Sequence, residues 1–100
     1  MNKDILLKSL KALQNISVDF KIDYHFFQGK SYIRGIILND PEELDKVKSL
    51  LGRDVIKNFS VTKSNAWYLG TRRKVIYLKL KNNIEIEIPE LETLQVNNYA

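Results

Sequence analysis

From Val18 to Phe26 the chain alternates without a fault: Val18, Phe20, Ile22, Tyr24 and Phe26 on one side, Asp19, Lys21, Asp23 and His25 on the other. A period of two belongs to a half-buried strand, because successive side chains of a strand point to opposite faces. Gln28-Gly29 follows as a two-residue turn, since glycine takes positive φ at no steric cost. Tyr32 to Leu38 is the returning strand. With Phe27 opposite Lys30, Ile33 falls opposite Tyr24 and Ile37 opposite Phe20, which keeps apolar groups together. Gly35, opposite Ile22 in that register, marks a place for a bulge.

Helices are announced on both sides of this hairpin. Leu6, Leu10 and Leu13 recur at helical spacing over residues 4–14, with Lys3, Lys8 and Lys11 on the wet side. Asn39-Asp40-Pro41-Glu42-Glu43 reads as a helix start: Asp40 caps, Pro41 suits the first position and Glu43 completes a capping-box spacing. Leu44, Val47 and Leu51 form its buried stripe and Gly52 its stop. Val55, Lys57, Phe59 and Val61 alternate against Ile56, Asn58 and Ser60, predicting a third strand. Ser64-Asn65 reads as a break before a short strand at Trp67–Leu69.

Lys74 to Lys81 alternates again, with Ile76, Leu78 and Leu80 on one side. A three-residue loop, Lys81-Asn82-Asn83, would set Leu80 opposite Ile84 and Ile76 opposite Ile88, and would place Lys79 and Lys81 as cross-strand partners for Glu85 and Glu87. Pro89 ends the last strand, and residues 90–100 are expected as a short helical turn or a loose tail. The fold class predicted is α+β in the order α-β-β-α-β-β-β. Its sheet is mainly antiparallel, four- to five-stranded, with two helices packed on one face. One hundred residues suit a single domain.

Composition removes several functional classes. There is no cysteine, hence no disulfide, thiolate nucleophile or cysteine-type zinc site. The first residues lack the apolar core and cleavage site of a signal peptide, and no apolar run approaches a membrane span of about 20 residues. A cytoplasmic location, no membrane partner and no cofactor or metal are therefore expected.

Catalytic motifs are equally scarce. His25, the one histidine, stands near Asp23 on the polar side of its strand, but no serine, threonine or cysteine is placed beside it by a known pattern. Glu85 and Glu87 share a strand face without the companion residues of a metal-dependent nuclease. Gly29-Lys30-Ser31-Tyr32-Ile33-Arg34-Gly35 resembles the second half of the GIY-YIG nuclease signature over seven residues. The Gly-Ile-Tyr half is absent, as is a later helix carrying arginine and a metal-binding glutamate, so no activity is carried over. The reading leans away from an enzyme.

One local anomaly stands out in charge. Residues 57–81 hold seven of the sixteen basic residues (Lys57, Lys63, Arg72, Arg73, Lys74, Lys79 and Lys81) and none of the twelve acidic ones. The chain as a whole carries +4, so the remainder, with nine basic against twelve acidic residues, sums to −3. The same stretch contains Phe59, Trp67, Tyr68 and Tyr77. Cations mixed with aromatics suit phosphate contact combined with stacking on bases or sugars. The function expected is a small, basic, non-enzymatic DNA- or RNA-binding module, with those seven cations on phosphates and Trp67 and Tyr77 as stacking groups. The alternative is a protein–protein interaction module, a regulator or inhibitor of a larger partner, self-associating as a homodimer through a sheet edge.

Overall fold

A computed structural model of the chain describes residues 1–99, the side chains of Tyr68 and of residues 95–99 excepted. Helix α1, Lys3–Asn15, starts where the Asn2 side chain accepts a hydrogen bond from the Ile5 N–H at 2.9 Å. It buries Leu6, Leu10 and Leu13, the stripe that the spacing predicted. Strands β1, Phe20–Phe27, and β2, Lys30–Leu38, then form the expected hairpin. Gln28 (φ 51°) and Gly29 (φ 78°) turn it, two positive-φ residues in succession as a type I′ turn demands.

Phe27 does pair with Lys30 and Tyr24 with Ile33, but the register then slips by one residue. Arg34 is the extra residue, Gly35 faces Asp23, and Leu38 takes the place opposite Phe20 that Ile37 was expected to hold. The slip flips the phase of β2, so Ile33, Ile36 and Leu38 all reach the core although they are not evenly spaced.

Asp40 caps the next element by accepting from the Glu42 N–H at 3.0 Å. A 3-10 turn, Pro41–Glu43, leads into α2, Leu44–Leu51, which buries Val47 and Leu51. The Glu43 carboxylate turns to Lys46 at 3.2 Å instead of closing a capping box. The third strand does not begin at Val55: Arg53–Ile56 is a single helical turn, α3. The Asn58 side chain donates to the Asp54 carbonyl at 2.9 Å, and neighbouring Val55 and Ile56 both pack against the core, which no strand could arrange.

Strand β3, Phe59–Tyr68, runs through Ser64-Asn65 without a break, and β4, Thr71–Ile86, is one strand of 16 residues. The sheet has four strands in the order β1-β2-β4-β3, every pair antiparallel. The loop expected at Lys81-Asn82-Asn83 is not a turn. Ile84, Glu85 and Ile86 continue along β2 opposite Ile33, Tyr32 and Ser31, so Lys79 and Lys81 do not face Glu85 and Glu87 across a hairpin. Leu80, Ile84 and Ile86 are separated by even numbers, so an unbroken strand keeps them on one face as well as a hairpin would.

Helix α4, Ile88–Tyr99, closes the described chain and buries Leu91 and Leu94 where a helical turn or tail was expected. It is tied to α1 by Lys3 and Glu90, 3.2 Å apart, and by the Gln14 side chain donating to the Leu94 carbonyl. One core joins α1, α2 and α4 to Phe20, Ile22, Ile33, Ile36, Leu38, Phe59, Ile76, Leu78, Leu80 and Ile86 of the sheet. The mixed α+β architecture and its antiparallel sheet are those read from the sequence. No helix among the described residues is long and apolar enough to cross a membrane.

Candidate nucleic-acid interface

Strand β2 ends at Leu38, which pairs with Ile76. Beyond that point β3 and β4 continue alone, from Ser64↔Val75 to Tyr68↔Thr71. Val75 is still buried, but Asn65 and Lys74 and everything outward of them form a free two-stranded ribbon of four residue pairs. At about 3.4 Å per pair that is an arm on the order of 13 Å long. Leu69 (φ 52°) and Gly70 (φ 78°) turn it, the same two-residue geometry as in the first hairpin.

Register sorts the arm's side chains. Lys63, Asn65 and Trp67 of β3 and Arg72 and Lys74 of β4 share one face, continuous with that of Ile76; Ala66 and Arg73 lie on the other. Trp67 is 73% exposed and Leu69, at the tip, 88%. Lys63, Arg72, Arg73 and Lys74 are exposed, and Asp54 and Glu85 are the carboxylates that flank this part of the chain. Among the described residues Lys63, Arg72 and Lys74 form no ion pair, and Glu85 and Glu90 are engaged elsewhere, with Lys30 at 3.7 Å and with Lys3. The arm is therefore a cationic, carboxylate-free projection with two large apolar groups on display.

The other expected residues lie apart from it. Lys57 sits at the end of α3, 3.9 Å from Asp54, at the far end of β3 from the arm tip. The ten residues of β3 put roughly 30 Å between those ends. Tyr77, Lys79 and Lys81 gather on the sheet face away from the helices, beside Arg34 and Asp23. The Tyr77 hydroxyl donates to the Asp23 carboxylate, and Asp23 also faces Arg34 at 3.6 Å. Burial, reinforced by that hydrogen bond, pushes the Tyr77 hydroxyl up to about 12, so it remains a proton donor. The Tyr77 ring, expected to stack on bases, is half-buried and anchored through its hydroxyl in this way.

His25 stacks on Tyr32, with ring centroids 5.5 Å apart. The carboxylate expected to orient it, Asp23, is engaged by Tyr77 and Arg34 instead, and the His25 Nδ1 has no hydrogen-bond partner among the described residues. No group of three potential metal ligands occurs among the described residues. The sequence reading missed Leu69 and Arg34. Leu69 carried no signal, being an apolar residue in a turn; the bulge flagged near Gly35 was the one hint that Arg34 would be turned out of the ladder.

No protein-family model matches this chain, and no curated protein or solved structure is significantly similar to it.

Proposed function

We propose that the chain is a nucleic-acid-binding module that engages its ligand with the β3–β4 arm. The observation that supports this most is the arm itself: a ribbon exposed on both faces, with three cations and a fourth, Lys63, at its base, no carboxylate, and Trp67 and Leu69 presented bare. Phosphates are held by lysine and arginine with release of counterions. The cations on both faces of a ribbon can reach the two backbones that flank a groove. The major groove of B-form DNA, about 12 Å wide, admits a two-stranded ribbon, whereas that of A-form RNA is too deep and narrow. Duplex DNA is therefore the better fit, with Lys63, Arg72, Arg73 and Lys74 on phosphates and Trp67 against sugar or an unstacked base.

Fluorescence anisotropy with labelled duplex DNA and duplex RNA at several salt concentrations tests the reading. Four cations on phosphates give a slope of log K against log salt of at most about −3.6, from roughly −0.9 per contact. Absence of binding at low salt ends the proposal.

A second reading rests on the opposite edge of the sheet. Edge strand β1 exposes Phe26 (62%) and Phe27 (58%), and an open edge with apolar side chains can pair with another chain. This favours a protein-interaction role or a homodimer through β1. Light scattering that returns a monomer over a wide concentration range removes the homodimer.

A further inference from the structure

Between the Ile33↔Ile84 and Gly35↔Lys79 pairs the ladder of β2 and β4 comes apart: four residues of β4, Leu80 to Asn83, stand opposite the single residue Arg34. The swelling opens a cleft of about 670 Å³ on the sheet face away from the helices. Bulges of this kind re-aim side chains and recur next to functional sites. Here the redirected side chain is Arg34, and it shares the cleft with Lys79, Lys81, Asn82, Asn83 and Asp23. Asp23 is committed on both carboxylate oxygens, Oδ2 accepting from Tyr77 and Oδ1 facing Arg34. Lys79 and Lys81 form no ion pair among the described residues. Three cations against one occupied carboxylate leave the cleft with a charge of +2, walled by an arginine fork, two ammonium groups and two amides.

We infer that this cleft binds a phosphomonoester. The dianion of such a group, formed above a second pKa of about 6, matches the local charge, and its three terminal oxygens suit a wall made of donors. The volume falls within the roughly 300–1,000 Å³ of small-molecule sites and exceeds what a lone ion needs. Arg34 supplies the planar fork and Lys79 and Lys81 the mobile charges; Asp23 is a positioning residue that holds Arg34 by its edge. Lys63, the nearest arm cation, is paired with Ile76, three residues from Lys79 along β4, and lies on the other face, about 10 Å along the strand. The inference is therefore independent of what the arm binds. The group can be carried by a free nucleotide or by the 5′ end of a nucleic-acid strand.

Amide NMR of the full chain, titrated with inorganic phosphate, then with a nucleoside monophosphate, and with one oligonucleotide bearing either a 5′-phosphate or a 5′-hydroxyl, tests this. Saturable shifts confined to residues 34, 79 and 81–83 are expected, strengthening as pH rises through about 6. Lys79→Ala/Lys81→Ala should weaken phosphate binding about tenfold or more, and Arg34→Lys should weaken it with charge retained. The triple variant Lys63→Ala/Arg72→Ala/Lys74→Ala should leave it unchanged, whether or not the arm binds nucleic acid. A preference for the 5′-phosphorylated strand over both its 5′-hydroxyl form and the mononucleotide assigns a strand end; equal binding of the mononucleotide assigns a free nucleotide. No saturable response to any of these ligands, or shifts spread equally over the arm cations, overturns the inference.

Discussion

A Cβ added at Gly35 would collide with the Leu78 carbonyl oxygen and stand 3.0 Å from the Lys79 Cα, backbone atoms that no rotamer change can move aside. The neighbouring bulge at Arg34 explains the collision, since it rotates Gly35 until its missing side chain points along the sheet into β4. Only glycine lets β2 and β4 approach there, and Ile36 and Leu78, both fully buried, depend on that approach. Gly35→Ala should therefore lower stability by about 1–3 kcal/mol, as overpacking of a well-filled site does. In chemical denaturation the midpoint should fall at constant slope; an unchanged midpoint would show that the two strands separate more easily than their packing implies. The same residue shows how far a sequence can be read. A glycine inside an alternating run points to a bulge or a close approach, and here it marked both, whereas which neighbour became the extra residue depended on β4, a partner that local pattern does not contain.

At the scale of elements the two hairpins make a natural comparison. Both turn on a positive-φ pair ending in glycine, Gln28-Gly29 and Leu69-Gly70. The first was legible because clean alternation flanks it on both sides. The second was hidden: Ser64-Asn65 is the stronger turn signal by composition, and leucine is a poor residue for a left-handed position. The ladder between β3 and β4 overrode the local preference of Ser64 and Asn65. The long strand β4 was divided in the sequence reading for a related reason, since even spacing of apolar residues cannot separate a hairpin from a continuation. The element left least explained by stability is the Leu69 turn, in which an exposed leucine holds a conformation costing about 1–2 kcal/mol. Leu69→Asn, which creates the preferred Asn-Gly pair, should stabilise the protein by about 1 kcal/mol and raise Tm by roughly 4–8 °C. If the arm tip touches nucleic acid, the same variant should weaken binding, because strain kept at an exposed position is repaid elsewhere. A variant that gains stability and keeps full affinity would take Leu69 out of the interface.

At the scale of the whole molecule, stability and cationic display are physically separated. None of the described side chains of residues 65–74 belongs to the hydrophobic core, and β2 offers no partner to any of these residues. The helices and the sheet out to Ser64 and Val75 can therefore hold together with the arm removed. Geometry permits the cut: Ser64↔Val75 lies four pairs inward of Tyr68↔Thr71, an even number, so it is the same kind of pair in the alternating antiparallel ladder and accepts the same two-residue turn. Replacing residues 65–74 by Asn-Gly should give a folded protein whose thermal midpoint differs from the parent by no more than a few degrees. It removes three of the four arm cations together with Trp67 and Leu69, so DNA affinity should collapse and the salt slope should flatten by about 0.9 for each lost contact. Phosphate binding at the Arg34 cleft should survive, since that cleft lies on the opposite face of the part retained. Unfolding of the shortened chain would mean that the arm supports the core, and undiminished DNA binding would move the interface to the sheet.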